Sequence, residues 1–211
     1  MTRKVVRFLG HTPPADRWVG VVGRPGAPTR VAVGTALALP GLPPSRFATV
    51  EVLWFDTDTD TADGAAPGRG TDVDPPAGDG SVVVPVDEVV VRGADALTAR
   101  WADGGQRFKM MSFGCRNPAL SRPAFVERWR AEAGRLGGDR IPDDLRGLAY
   151  VQDHPIGDDP PFDAVNEVWF DRLDHLRRRA EWFAARPPPA DLMSPAACWS
   201  VYLRETVAGP R

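Results

Sequence analysis

Apolar residues recur along this chain with two periods. Residues 4–9, 30–39, 49–55, 81–91, 108–115, 145–154, 164–170 and 197–207 alternate or run apolar over short lengths. They are rich in β-branched and aromatic side chains and are bounded by Pro, Gly or Asp, so each reads as a strand. Pro85 and Asp87 predict a bulge or kink within 81–91. Two stretches repeat at helical spacing instead. Phe125, Trp129, Ala133 and Leu136 share one face of a helix capped by Ser121, with Pro123 in its first turn and Gly137-Gly138 at its end. Leu173, Leu176, Ala180 and Phe183 share one face of a second helix over 172–185, stopped by Pro187-Pro188-Pro189. A shorter helical piece over 96–101 sits in a connector at 93–105. Residues 56–80 are rich in Asp, Thr, Gly and Pro without periodicity, which predicts a long exposed loop.

The elements over 107–207 fall in the order β-α-β-β-α-β, the ferredoxin-like order. The first hundred residues repeat the strands, but Thr12-Pro13-Pro14 and Gly23-Arg24-Pro25-Gly26-Ala27-Pro28 leave room for at most a short helix. An echo ties the halves together. Trp54-Phe55-Asp56 and Trp169-Phe170-Asp171 each close an apolar run carrying one Glu, and the two tryptophans lie 115 positions apart. Two units are therefore expected, a helix-poor repeat over 1–100 and a complete one over 101–211, in an α+β protein.

Composition narrows the function. The 211 residues and an apolar content of 43% allow a real core. A formal charge of −2 gives no long-range attraction to nucleic acid or to an anionic membrane. Arg177-Arg178-Arg179 reads as a solvated helix face. Two cysteines, Cys115 and Cys198, do not make a disulfide framework and are expected reduced, in a cytoplasmic protein. The basic, then apolar start is too short for a signal peptide, and no apolar run approaches the ~18 residues that cross a bilayer. Asp56-Thr57-Asp58-Thr59-Asp60 resembles a calcium loop only superficially, since Thr61 stands where that loop needs Gly and Pro67 where it needs Glu. No metal site and no cofactor are expected, because metal-ligand spacings and Gly-rich phosphate loops are lacking.

Residues 107–207 resemble the EthD family, a branch of the dimeric α+β barrel superfamily. Ser121-Arg122-Pro123-Ala124-Phe125-Val126-Glu127-Arg128-Trp129, Tyr150-Val151-Gln152-Asp153-His154, Phe162-Asp163 and Glu167-Val168-Trp169-Phe170-Asp171 carry the resemblance, with an apolar last strand. It implies a barrel of two four-stranded sheets. Family members usually make that barrel by dimerising; here both sheets come from one chain, so a pseudo-dimeric monomer or a homodimer of it is expected. The resemblance departs from the family at Ala133, where members usually carry a histidine four residues after the helix tryptophan.

The strand alternation proposes the site. Tyr150, Gln152 and His154 share one face, Glu167 and Trp169 share one, and Cys198, Ser200, Tyr202 and Arg204 share one. Should these faces converge under the helices, Trp129 and Ala133 complete a cleft suited to a flat aromatic or polyketide-like molecule. His154 is the first candidate base, and Glu167 in an apolar strand a second acid or base. A salt bridge to Arg204 or Arg128 is the structural alternative for Glu167. Tyr150 and Tyr202 are candidate donors to a developing enolate. Three functions compete: a cofactor-independent cyclase, dehydratase or isomerase of polyketide-like substrates, a cofactor-independent monooxygenase of anthrone-like ones, and a non-catalytic small-molecule binding protein.

Overall fold

The computed structural model describes residues 2–14, 16–18, 21–24, 27–56, 81–104, 106–186 and 188–208. The loop expected after Asp56, with its acidic run, lies outside them. The elements are β1 (Thr2–Leu9), β2 (Arg30–Ala36), β3 (Thr49–Asp56), β4 (Val82–Arg92), α1 (Ala94–Asp103), β5 (Arg107–Gly114), α2 (Arg122–Ala131), a small hairpin of β6 (Arg135–Leu136) and β7 (Asp139–Arg140), β8 (Ala149–Pro155), β9 (Ala164–Phe170), α3 (Leu173–Ala184) and β10 (Trp199–Ala208). Apart from the hairpin, all strands close into one antiparallel barrel in the order β1-β3-β2-β10-β5-β9-β8-β4. Closure leaves the barrel without a free edge among the described residues. Each half contributes four neighbours in one order (fourth, first, third, second), and the halves join where β2 meets β10 and β4 meets β8. The division expected between residues 100 and 101 falls within α1. No helix among the described residues is long and apolar enough to cross a membrane.

The strand registers of the two halves show similar pairings. Lys4 lies opposite Trp54 and Phe8 opposite Val50 in one half; Lys109 lies opposite Trp169 and Phe113 opposite Val165 in the other. All eight are buried. Inward residues of both halves, among them Val6, Val52, Val84, Met111, Val165, Val201 and Leu203, form one shared core. At one end it is aromatic, with Phe8 4.8 Å from Phe113 and Phe162 5.0 Å from Trp199.

The echo hides a one-residue offset. Glu51 stands three places before Trp54, but Glu167 stands two before Trp169. Because strand side chains alternate, that single step sends the two carboxylates to opposite faces. Val52 holds the inward place and packs in the core, while Glu51 faces outward, accepts a hydrogen bond from Trp18 Nε1 at 2.9 Å and faces the Arg7 and Arg17 guanidinia. On that outer face Trp18 and Val22, from the segment between β1 and β2, pack on Val5, Val31 and Leu53.

In the second half, α2 and α3 cover the outer face. Phe125 and Trp129 pack on Ala164 and Leu192, and Leu176 and Ala180 on Met110, Val168, Phe170 and Tyr202. Ser121 caps α2 by accepting from the Ala124 N–H. The helix ends at Ala131, not at Gly137. Gly134, at φ +83°, reverses the chain first, leaving Ala133 in a turn. Gly137 and Gly138, both at positive φ, instead form the two-residue turn between β6 and β7. The strand expected from 145 begins at Ala149, after a 3-10 turn over Asp143–Leu145.

Candidate functional site

A cavity of about 570 Å3 lies between the outer face of the second-half sheet and its helices. Met110 and Ser112 of β5, Tyr150 of β8, Asn166 and Val168 of β9, and Ser200 and Tyr202 of β10 form its floor. Trp129, the turn Glu132-Ala133-Gly134, and Arg179 and Phe183 of α3 form its roof. Pro43, Pro44 and Arg46 from the first half also reach its wall. The turn that follows the end of α2 at Ala131 thus supplies part of the cavity wall.

The polar floor is a short hydrogen-bonded chain. Gln152 Nε2 donates to the Tyr150 hydroxyl at 2.9 Å and to the Trp129 carbonyl at 3.2 Å, and the Tyr150 hydroxyl donates to Asn166 Oδ1 at 2.8 Å. Burial pushes the Tyr150 phenol up to about 12, against the Gln152 hydrogen bond and the Arg179 charge, so it is a proton donor at neutral pH. Burial also raises Tyr202, opposed by its hydrogen bond with Ser200. Ser112 and Ser200 hydroxyls lie 3.0 Å apart. Glu132 is the sole carboxylate residue in the cavity wall among the described residues, and its Oε2 is buried without a hydrogen-bond partner.

Of the residues expected from sequence, Tyr150, Trp129, Ala133 and Tyr202 line this cavity, and Gln152 lies behind it, bonded to Tyr150. His154 shares their face but lies outside the cavity wall, 4.7 Å edge-on from Trp129. Arg130 Nε donates to its Nε2 at 3.4 Å. Burial and the Arg130 charge lower its pKa to about 4, against Asp87, so the imidazole is neutral near pH 7. Arg204 is exposed, its guanidinium 6.0 Å from the Phe108 ring. Cys115 and Cys198 are free thiols, as expected.

Glu167 and Trp169 face the barrel interior, on the opposite side of the sheet from Tyr150. The expected convergence of faces therefore fails, because Glu167 alternates with Asn166 and Val168, which point to the cavity. Its partners are not Arg204 or Arg128. Glu167 accepts from Lys4 Nζ at 2.5 Å and from Lys109 Nζ at 2.8 Å. Lys4 also reaches Asp153 at 2.9 Å and Glu88 at 2.5 Å, and Lys109 pairs with Glu205. Arg100 of α1 inserts to meet Glu205 at 3.0 Å, and Trp169 Nε1 donates to Glu205 at 2.8 Å. Burial alone would raise Glu167 and Glu205, but Lys109, with Lys4 and Arg100, holds both below the usual carboxylate range. Burial raises Asp153 well above its ordinary value despite Lys4, with Glu167 adding to the rise. Glu88, Asp153 and Glu167 are close enough to hold a cation, and the Lys4 ammonium already bonds all three.

Sequence reasoning missed Arg179, Glu132 and Asn166. Arg179 was expected on a solvated face with Arg177 and Arg178, yet only those two are exposed. It lies three residues after Leu176 and four before Phe183, on the buried stripe, and that spacing was the available signal. A Lys-x-x-x-Phe pattern is also shared by Lys4–Phe8 and Lys109–Phe113. Searched against protein-family models and curated proteins, the chain matches no family and no curated protein.

Proposed function

We propose that the chain acts on a flat aromatic or polyketide-like compound held under α2 and α3, by proton transfer without a cofactor: cyclisation, dehydration or isomerisation. The observation that carries this reading is the cavity, with Met110, Trp129, Val168, Phe183 and Tyr202 as apolar and aromatic walls around the Gln152–Tyr150–Asn166 chain. A ligand carbonyl can take the Tyr150 hydrogen bond in place of Asn166, and the phenol then stabilises an enolate oxygen. Glu132, half-buried at the wall with its Oε2 unpartnered, is the group we assign to take the proton from carbon. The EthD resemblance supports the reading. So does the repeated strand order, which we interpret as two ferredoxin-like repeats, over 1–100 and 101–211, closed into a pseudo-dimeric barrel.

A non-catalytic binding protein is the second reading. Ala133 favours it, presenting a methyl group at the wall where EthD members usually carry histidine, and so does His154, set back from the wall. The test is turnover of a panel of anthrone and naphthol-type ketones in chelator-treated buffer, followed by product mass and dissolved oxygen. The expected result is product without oxygen uptake, at a rate lowered roughly tenfold or more by Tyr150→Phe and by Glu132→Gln. Product with oxygen uptake replaces the proposal with a monooxygenase. Tight binding without product replaces it with a carrier, and no binding at all ends the aromatic reading.

A further inference from the structure

Five cationic side chains are buried among the described residues: Lys4, Arg7, Arg100, Lys109 and Arg179. Four have carboxylate partners. Lys4 bonds Glu88, Asp153 and Glu167, Lys109 bonds Glu167 and Glu205, Arg100 bonds Glu205, and Arg7 lies 3.6 Å from Glu51. Arg179 is the exception: among the described residues no carboxylate pairs with it. It is 6% exposed, donates from Nη1 to the Leu145 carbonyl at 2.8 Å, and lies 4.5 Å from the Phe183 ring centre. Its Nε is buried with no hydrogen-bond partner. A guanidinium withdrawn this far from water without an anion is costly, and natural interiors supply the missing partner.

Arg179 is also the one buried cation of the five that lines the cavity. With Nη1 committed to Leu145, the edge formed by Nε and Nη2 is left, and that edge matches the two oxygens of a carboxylate. The rest of the wall has the same sign. Six arginines and one glutamate line the cavity in a chain whose net charge is −2. Arg92 donates to the backbone carbonyls of Gly147 and Leu148 and so consumes no acid side chain.

We propose that the cavity's ligand carries a carboxylate and that Arg179 is its counter-ion, with the aromatic body lying against Trp129, Phe183 and Tyr202. This rests on the reading of the cavity as an aromatic site and adds the charge of the ligand to it. Arg179 thereby selects acids over neutral compounds of the same shape.

Titration calorimetry at pH 7 with naphthalene-2-carboxylate and 2-naphthamide, equal in ring and near-equal in size, tests this directly. The acid is expected to bind wild type at least about tenfold more tightly than the amide. Arg179→Met should bring the two within about twofold, and Arg179→Lys should keep part of the preference. Equal affinities in wild type overturn the counter-ion and leave the aromatic reading standing. Binding of neither probe overturns both. A preference that survives intact in Arg179→Met removes Arg179 from the role. If Arg179→Met fails to fold, the acid–amide comparison in wild type and in Arg179→Lys still decides.

Discussion

β8 and β9 present polar groups to both sides of the barrel wall, and the two sides treat charge in opposite ways. Inward, Asp153 and Glu167 meet Lys4 and Lys109, with Glu88, Glu205 and Arg100 completing the set. Three cations there face four carboxylates, and burial favours the protonated form of Asp153 despite the Lys4 charge beside it. Outward, Tyr150 and Asn166 face a cavity whose one buried cation among the described residues, Arg179, pairs with none of their carboxylates. Each inner cation meets a carboxylate of the chain itself, whereas Arg179 meets none among the described residues, and that difference separates scaffold from site on a single sheet. It also explains why buried charge alone misleads: Glu167 and Arg179 are both buried, and only the second faces open space.

The largest effect that sharpens the contrast is expected inside. Lys109→Met leaves Glu167 and Glu205 buried beside each other with a cation gone, and should destabilise the protein by about 3–5 kcal/mol in urea unfolding. Arg179→Met orphans no acid and should cost no more than about 1 kcal/mol, so equal losses would erase the distinction.

Asp153 gives the pH test. A carboxyl raised on folding contributes stability that is full below its unfolded value of about 3.9 and is lost as pH rises toward its folded value. Asp153→Asn mimics the protonated acid and removes that loss. The variant should lie within about 1 kcal/mol of wild type at pH 4 and gain on it as pH rises to 8, read from unfolding curves at each pH. A variant that loses ground as pH rises would mean that Asp153 is ionised in the fold.

His154 runs the other way. Its depressed value means the fold favours neutral imidazole, so its contribution is full above about 6.5 and lost as pH falls toward 4. The imidazole should therefore be neutral at pH 6 by NMR, and a midpoint near 6.5 would show that it is not shielded by Trp129 and Arg130. The smallest effect on stability is expected from Ala133→Trp, which fills space at the cavity wall. It should change stability by about 0.5 kcal/mol or less while abolishing binding of naphthalene-2-carboxylate. Retained binding would place the ligand elsewhere.

Local pattern carried most of the fold. All eight barrel strands and both long helices lie close to where periodicity put them, because alternation and helical stripes report burial directly. Periodicity places the end of α2 too late because two glycine signals compete, Gly134 and Gly137-Gly138, and either can stop a helix. Gly134, where the chain turns first, lies in the cavity wall. The site was half legible. Tyr150, Gln152, Trp129 and Tyr202 came from strand and helix phase, and Arg179 was lost to an arginine triplet whose exposed members masked its inward phase.

Sequence by itself determined which residues share a face, because face follows from local period. Tertiary structure alone decided which faces meet. Strand phase grouped Glu167 with Trp169 and Tyr150 with Gln152, but it carries no sign for inside or outside a closed barrel, where both faces are covered. Only barrel closure put Lys4 and Lys109 across from Glu167, and only the arch of α2 and α3 left Arg179 lining a cavity with no carboxylate paired to it among the described residues.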